Sequence, residues 1–114
     1  MGALLGQSPG VAAPETPQSM IVDWSDEALD DLAALAAYIY QDNPAAAVRI
    51  TLEIIQSVEE LLPDHPHVGR PGRVPGTREL VIPRTPYIVP YQVRNNRIEI
   101  LRVYHQARRW PDQF

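Results

Sequence analysis

The sequence predicts an α+β domain. An N-terminal strand and an antiparallel helical hairpin pack on a C-terminal three-stranded antiparallel meander. Three observations carry this. Apolar residues recur three and four apart from Leu29 to Leu62, the period of helices buried on one face. Asp42-Asn43-Pro44 interrupts that run, so two helices must fold back on each other. From Arg78 to Tyr104 the period drops to two, in segments rich in β-branched and aromatic residues. At 114 residues the chain is one domain with a single two-layer core.

Residues 1–19 are small, proline-rich and nearly uncharged. They read as a disordered leader or an upstream or non-native extension, with Met20 as a candidate start and residues 20–114 as the domain. They lack the positive start and longer apolar stretch of a signal peptide. Ile21-Val22-Asp23-Trp24 reads as a short strand. Ser25 is a good helix cap, and Asp26 and Glu27 suit the positive end of the helix dipole. Trp24 and Leu29 have the spacing of a hydrophobic staple. The first helix is expected over Asp26–Gln41, burying Leu29, Leu32, Ala36, Ile39 and Tyr40. Asp30 and Asp31 fall outside that stripe and read as a solvated face.

Asn43 caps the second helix, and Pro44 at its first position gives up no needed donor. The helix is expected to run to Leu62, stopped by Pro63. Val48, Leu52, Ile55, Glu59 and Leu62 trace one line, with Ile54, Val58 and Leu61 beside it. Residues 63–76 hold four prolines and three glycines and must be loop. His65 and His67 have one residue between them and no supporting acid or cysteine, so no metal site is expected. Arg70 and Arg73 would reach water, a partner carboxylate or a phosphate.

The meander strands are Arg78–Ile82, Tyr87–Val93 and Arg97–Tyr104. Asn95-Asn96 fits a tight hairpin because asparagine tolerates positive φ. Pro90 removes a ladder donor, so it needs an edge, a bulge or an outward-facing nitrogen. Alternation puts Ile98, Ile100, Arg102 and Tyr104 on one face and Leu101, Val103 and His105 on the other. Both faces are partly apolar, which predicts a sheet covered on one side and grooved on the other.

The net charge of −4 hides an asymmetry: residues 1–62 carry −9, and residues 63–114 carry +5. A basic sheet half can face phosphates or an acidic protein. Every cation is arginine. Guanidinium suits bidentate contacts to carboxylate or phosphate and is a poor general base. Cysteine is absent, which excludes disulfides, thiol chemistry and cysteine-ligated metal. No apolar run approaches membrane-spanning length.

Several segments together carry a likeness. They are Val22-Asp23-Trp24-Ser25 leading to Ala28 and Asp31-Leu32, then Gly69-Arg70-Pro71, Gly76-Thr77-Arg78-Glu79-Leu80, Tyr87-Ile88-Val89 with Tyr91, and Ile100-Leu101-Arg102-Val103-Tyr104-His105. In this order, over residues 20–110, the chain resembles the RelE/ParE toxins of bacterial type II toxin–antitoxin systems. The resemblance implies a cytoplasmic toxin without a cofactor or membrane partner. It also implies an antitoxin whose extended C-terminal part wraps the toxin.

The family divides by target. Its ParE-like branch inhibits DNA gyrase by protein–protein contact, and its RelE-like branch cleaves mRNA in the ribosomal A site. Cleavage must activate a ribose 2′-OH, stabilise the crowded phosphate and protonate the leaving oxygen. The nucleases place an arginine on the strand that matches Tyr87–Val93, and here Ile88 stands there. His105 matches their late histidine, and Gln106 stands where some carry a tyrosine. On the RelE-like reading His105, Arg102 and Tyr104 would be catalytic. On the ParE-like reading, which the residues favour, Arg78, Arg84, Arg102, Arg108, Arg109 and Trp110 would face the antitoxin or gyrase. A third reading is a non-toxic interaction module. Blander roles stand beside these: His105 bonded to backbone at a strand end, Tyr104 in the core, Trp110 packed back on the domain. Arg102 on a half-buried sheet needs a partner, either Glu79, Glu99 or a ligand.

Overall fold

The computed structural model describes residues 20–114; the leader reading of residues 1–19 lies outside them. The elements are β1 (Ile21–Trp24), α1 (Asp26–Asp42), α2 (Pro44–Leu61), β2 (Arg70–Pro71), β3 (Arg78–Val81), β4 (Tyr87–Arg94), β5 (Arg97–Ile100) and β6 (Tyr104–His105). They form one sheet in the order β1-β5-β4-β3-β2, with β6 also paired to β4. The expected meander is its centre, with β3, β4 and β5 antiparallel. β1 lies parallel to β5 at one edge. The helical hairpin packs on one face. No helix among the described residues is long and apolar enough to cross a membrane.

Helix boundaries follow the caps. Ser25 Oγ accepts the Ala28 N–H at 3.0 Å, and Asn43 Oδ1 accepts the Ala46 N–H at 3.0 Å. The buried faces differ from those expected. In α1 the inward line is Ala28, Leu32, Leu35 and Ile39, while Leu29 and Tyr40 are exposed. In α2 it is Ala47, Ile54 and Val58 with Leu62 just beyond, while Val48 and Leu52 are exposed. Both helices carry apolar residues around more than one face, so periodicity alone did not say which arc meets the sheet. Across from them Ile82, Val89, Tyr91, Ile98 and Ile100 complete the core.

The β4–β5 hairpin turns through Asn95 and Asn96, at φ 54° and 61°. Past it the expected strand Arg97–Tyr104 breaks. Tyr91 faces Ile100 and Ile88 faces Tyr104. Between those pairs, Val89 and Pro90 oppose Leu101, Arg102 and Val103, one residue too many. This is a β-bulge, and Pro90 gives its cause. The Pro90 carbonyl accepts the Leu101 N–H at 3.0 Å. The nitrogen and carbonyl of a strand residue point to the same neighbour, so the missing donor falls on the bulged side.

The extra residue exchanges the two faces beyond it. Val103 joins Ile98 and Ile100 in the core. Tyr104, expected on their face, packs instead beneath Trp110 and Phe114.

At the sheet edge Arg97 ties β5 to β1 by two hydrogen bonds to Asp23, of 2.6 and 2.9 Å. The Arg97 hydrogen bond holds the Asp23 carboxyl below its ordinary value of 3.8. A lowered folded pKa means the stabilisation is complete above 3.8 and fades as pH falls through the folded value. Thermal melts of wild type and Asp23→Asn are therefore expected to differ by a constant amount from pH 7 to pH 5, then converge in stronger acid. A gap that persists unchanged at pH 2 would count against the pair.

Candidate partner-binding groove

On the sheet face away from the helices lies a groove of about 860 Å³. Its walls are the loop Val74–Thr77, the bulge at Leu101 and Arg102, and the tail from Arg108 to Phe114. Tyr104 forms the floor and is 1% exposed. Trp110 meets it edge-on at 5.1 Å, and Phe114 lies 6.2 Å away. Cations stack on these rings. Arg108 lies 4.2 Å and Arg102 4.8 Å from the Tyr104 centroid, and Arg73 lies 3.9 Å from that of Trp110. Each contact uses the negative face of an aromatic ring.

The bulge that forms one wall is fastened to the start of α1. Ser25 N–H donates to the Ile100 carbonyl at 3.0 Å, and Ser25 Oγ donates to the Leu101 carbonyl at 2.9 Å. Asp31 accepts both N–H groups of the Arg102 fork, at 2.7 and 2.9 Å, and the Val103 N–H at 3.0 Å. These bonds push the Arg102 pKa up from its ordinary value, so it carries full charge at any physiological pH. The partner of Arg102 is thus neither Glu79 nor Glu99, and Asp31 is not on a solvated face. Glu99 binds Gln92 at 2.6 Å and Arg94 at 3.3 Å. Glu79 is buried and binds Arg70 at 3.0 Å and the Arg73 N–H at 2.8 Å. Arg70 and Arg73 therefore close on a carboxylate of their own chain.

The expected arginine set divides. Arg102, Arg108, Arg109 and Trp110 line the groove together. Arg78 does not join them, because its guanidinium donates to the carbonyls of His67 and Gly69 at 3.1 and 2.8 Å. Arg84 binds Glu53 of α2 at 2.8 Å. Arg78, Arg84 and Arg102 thus serve three separate partners.

His105 is exposed and stands outside the groove lining. Its ring meets Tyr87 edge-on at 5.5 Å, and its Nδ1 accepts the Ala107 N–H at 3.1 Å. Ile88, at the position where nucleases carry an arginine, is buried and paired with Tyr104. Among the described residues no three His, Cys, Asp or Glu side chains gather to hold a metal.

Sequence reasoning missed Asp31 and Phe114, and it did not place Arg73 on Trp110. Asp31 had a signal: it adjoins Leu32 at the edge of the buried stripe, where an acid without a partner would be costly. Arg73 and Phe114 had none, since loop and tail residues reach Trp110 and Tyr104 only through the fold.

Comparison with known proteins spans almost the same residues. The family described as the ParE toxin of type II toxin-antitoxin system, parDE, matches residues 22–110. The chain is 42% identical over 90 residues to a protein named as toxin Y4kP from Sinorhizobium fredii, covering 79% of this chain and 92% of that one. It is 34% identical over 87 residues to Toxin RelE2 from Caulobacter vibrioides, covering 76% and 96%. Among solved structures it is similar to a chain of the chromosomal ParDE toxin–antitoxin system of P. aeruginosa, with a TM-score of 0.71 and 30% identity over 77% of this chain and 97% of that one. It is also similar to a chain of the RelBE2 toxin–antitoxin complex of Mycobacterium tuberculosis, with a TM-score of 0.58 and 26% identity over 76% and 98%. From the first strand to the tail, then, the chain belongs to the ParE/RelE family of type II toxin–antitoxin toxins.

Proposed function

We propose that this toxin acts by protein–protein contact, that its target is DNA gyrase, and that a cognate antitoxin neutralises it. One observation supports contact over cleavage. His105, the late histidine named as acid or base, lies outside the groove that the arginines line, and its ring is tied to Tyr87 and the tail backbone. A nuclease needs its acid or base within hydrogen-bond reach of the reacting oxygen and its cations on the same phosphate. Arg102 and Arg108 stack on Tyr104 and Arg109 lines the same groove, a guanidinium set that suits recognition of a protein surface rich in carboxylates. On this reading Arg102, Arg108, Arg109 and Trp110 bind the antitoxin or the target. Arg78 and Arg84 contribute only at the periphery, after exchanging their present partners. The solved relatives come from toxin–antitoxin systems by name, which supports the antitoxin.

The test is growth after induction without an antitoxin. Wild type and His105→Ala are expected to arrest growth equally, with gyrase supercoiling lost and mRNA intact. Cleavage of mRNA in the ribosomal A site that disappears with His105→Ala would establish the endoribonuclease instead. No effect of wild type on growth would leave only a non-toxic interaction module.

A further inference from the structure

We propose that Asp31 is the positioning residue of the groove: it clamps the bulge in the register that turns Tyr104 outward as the aromatic floor. The inference rests on the contact reading for what the floor does, but not for how the floor is held.

The bulge creates a problem that strand pairing alone does not solve. In plain alternation Tyr104 shares a face with Ile98 and Ile100 and would point at the helices. The extra residue reverses this and strands the Val103 N–H, which has lost its place in the β4 ladder. A buried amide without an acceptor is strongly disfavoured. Val103 is buried, and the acceptor for its N–H is Asp31 Oδ2. The other carboxylate contacts fix Arg102 as a two-pronged fork. That fork lies over the Tyr104 ring. One side chain on α1 thereby sets the backbone of residue 103, the side chain of residue 102 and, through it, the seat of residue 104. A carboxylate is the one short side chain that can accept all three donors at once.

A second bidentate pair supplies an internal control. Asp23 and Arg97 meet with matching geometry at the sheet edge, without a bulge or an aromatic ring. A merely stabilising role would give both aspartates thermal effects, larger at the less exposed Asp31, and leave Trp110 unmoved.

The experiment follows Trp110, which packs edge-on against Tyr104. In a Trp24→Phe background Trp110 is the only tryptophan. Its emission and its quenching by iodide are measured for the parent, Asp31→Asn and Asp23→Asn, all well below their melting midpoints. Asp31→Asn is expected to shift the emission to the red, raise quenching severalfold and abolish growth arrest, while Asp23→Asn changes none of these. Arg102→Gln leaves the Val103 bond in place and is expected to give a smaller shift, so it serves if Asp31→Asn fails to fold. Purely thermal effects of the two aspartate variants, with Trp110 unmoved in both, would overturn the clamp. The optical arm needs no target. A parent that leaves growth untouched would therefore count against the toxin's proposed action without bearing on Asp31.

Discussion

Replacing Arg70 and Arg73 together by alanine is expected to destabilise the domain by about 3–5 kcal/mol, the usual result of leaving a buried charge without its partners. The two arginines look unimportant from outside: their side chains are 51% and 45% exposed. A pair between exposed side chains contributes roughly 0–1 kcal/mol. The partner decides the outcome here. The Glu79 side chain is 1% exposed and sits opposite Pro90 in the centre of the sheet. Without the two guanidiniums its carboxylate keeps the Arg73 backbone N–H and little else. Small domains are stable by only about 5–15 kcal/mol, so the loss would be plain in a urea titration. Arg73 also stacks on Trp110. The single Arg70→Ala variant separates the ion pair from that contact and is expected to show part of the loss with the tail unmoved. A loss below 1 kcal/mol for the double variant would mean that water reaches Glu79.

Gly69→Ala is expected to cost about 1–3 kcal/mol through overpacking, more than its single added methyl suggests. A Cβ there would stand 2.6 Å from the Tyr91 hydroxyl and 2.9 Å from the Glu79 carbonyl oxygen. Neither can give way easily, because Tyr91 is fully buried and Glu79 is held in β3. The same hydroxyl pins the loop to the sheet: it accepts the Gly69 N–H at 2.9 Å and donates to the Pro66 carbonyl at 2.8 Å. Tyr91→Phe removes both bonds and strands two backbone groups, at roughly 1–3 kcal/mol. It also removes the nearest of the atoms that an alanine at 69 would strike, while the ring carbon Cε1, 2.7 Å from that Cβ, remains. The double variant should therefore cost less than the sum of the singles, a coupling that a double-mutant cycle reads directly. Strict additivity would show that the hydroxyl is not what excludes a side chain at 69.

The parts of this fold that local chemistry specifies were legible. Ser25, Asn43 and Pro44 marked the helix ends, and Asn95-Asn96 marked the hairpin, because each acts on backbone within a few residues. Pro90 announced a defect in the sheet but did not say where the chain would absorb it. The bulge fell on Leu101–Val103 and turned Tyr104 over, which two-residue alternation cannot foresee. The helix faces were misjudged for a related reason: Tyr40, Val48 and Leu52 are as apolar as the residues that are buried, and only the sheet's position distinguishes them. Charge partners were the least legible. Asp31 meets Arg102 across 71 residues of sequence, and Glu79 gathers two loop arginines. No spacing rule connects such pairs. Arginines 102, 108 and 109 do line one groove, because they lie close together on the bulge and the tail. Arg78 and Arg84 were grouped with them only by charge.

Most direct is a supercoiling assay with purified gyrase, relaxed plasmid and purified toxin, run beside a reconstituted translation reaction that carries a defined mRNA. Contact at the groove predicts that wild type and His105→Ala block supercoiling alike, that Arg108→Glu with Arg109→Glu relieves the block, and that the mRNA stays whole. Unimpaired supercoiling together with a cut mRNA, spared when His105 is alanine, would contradict it.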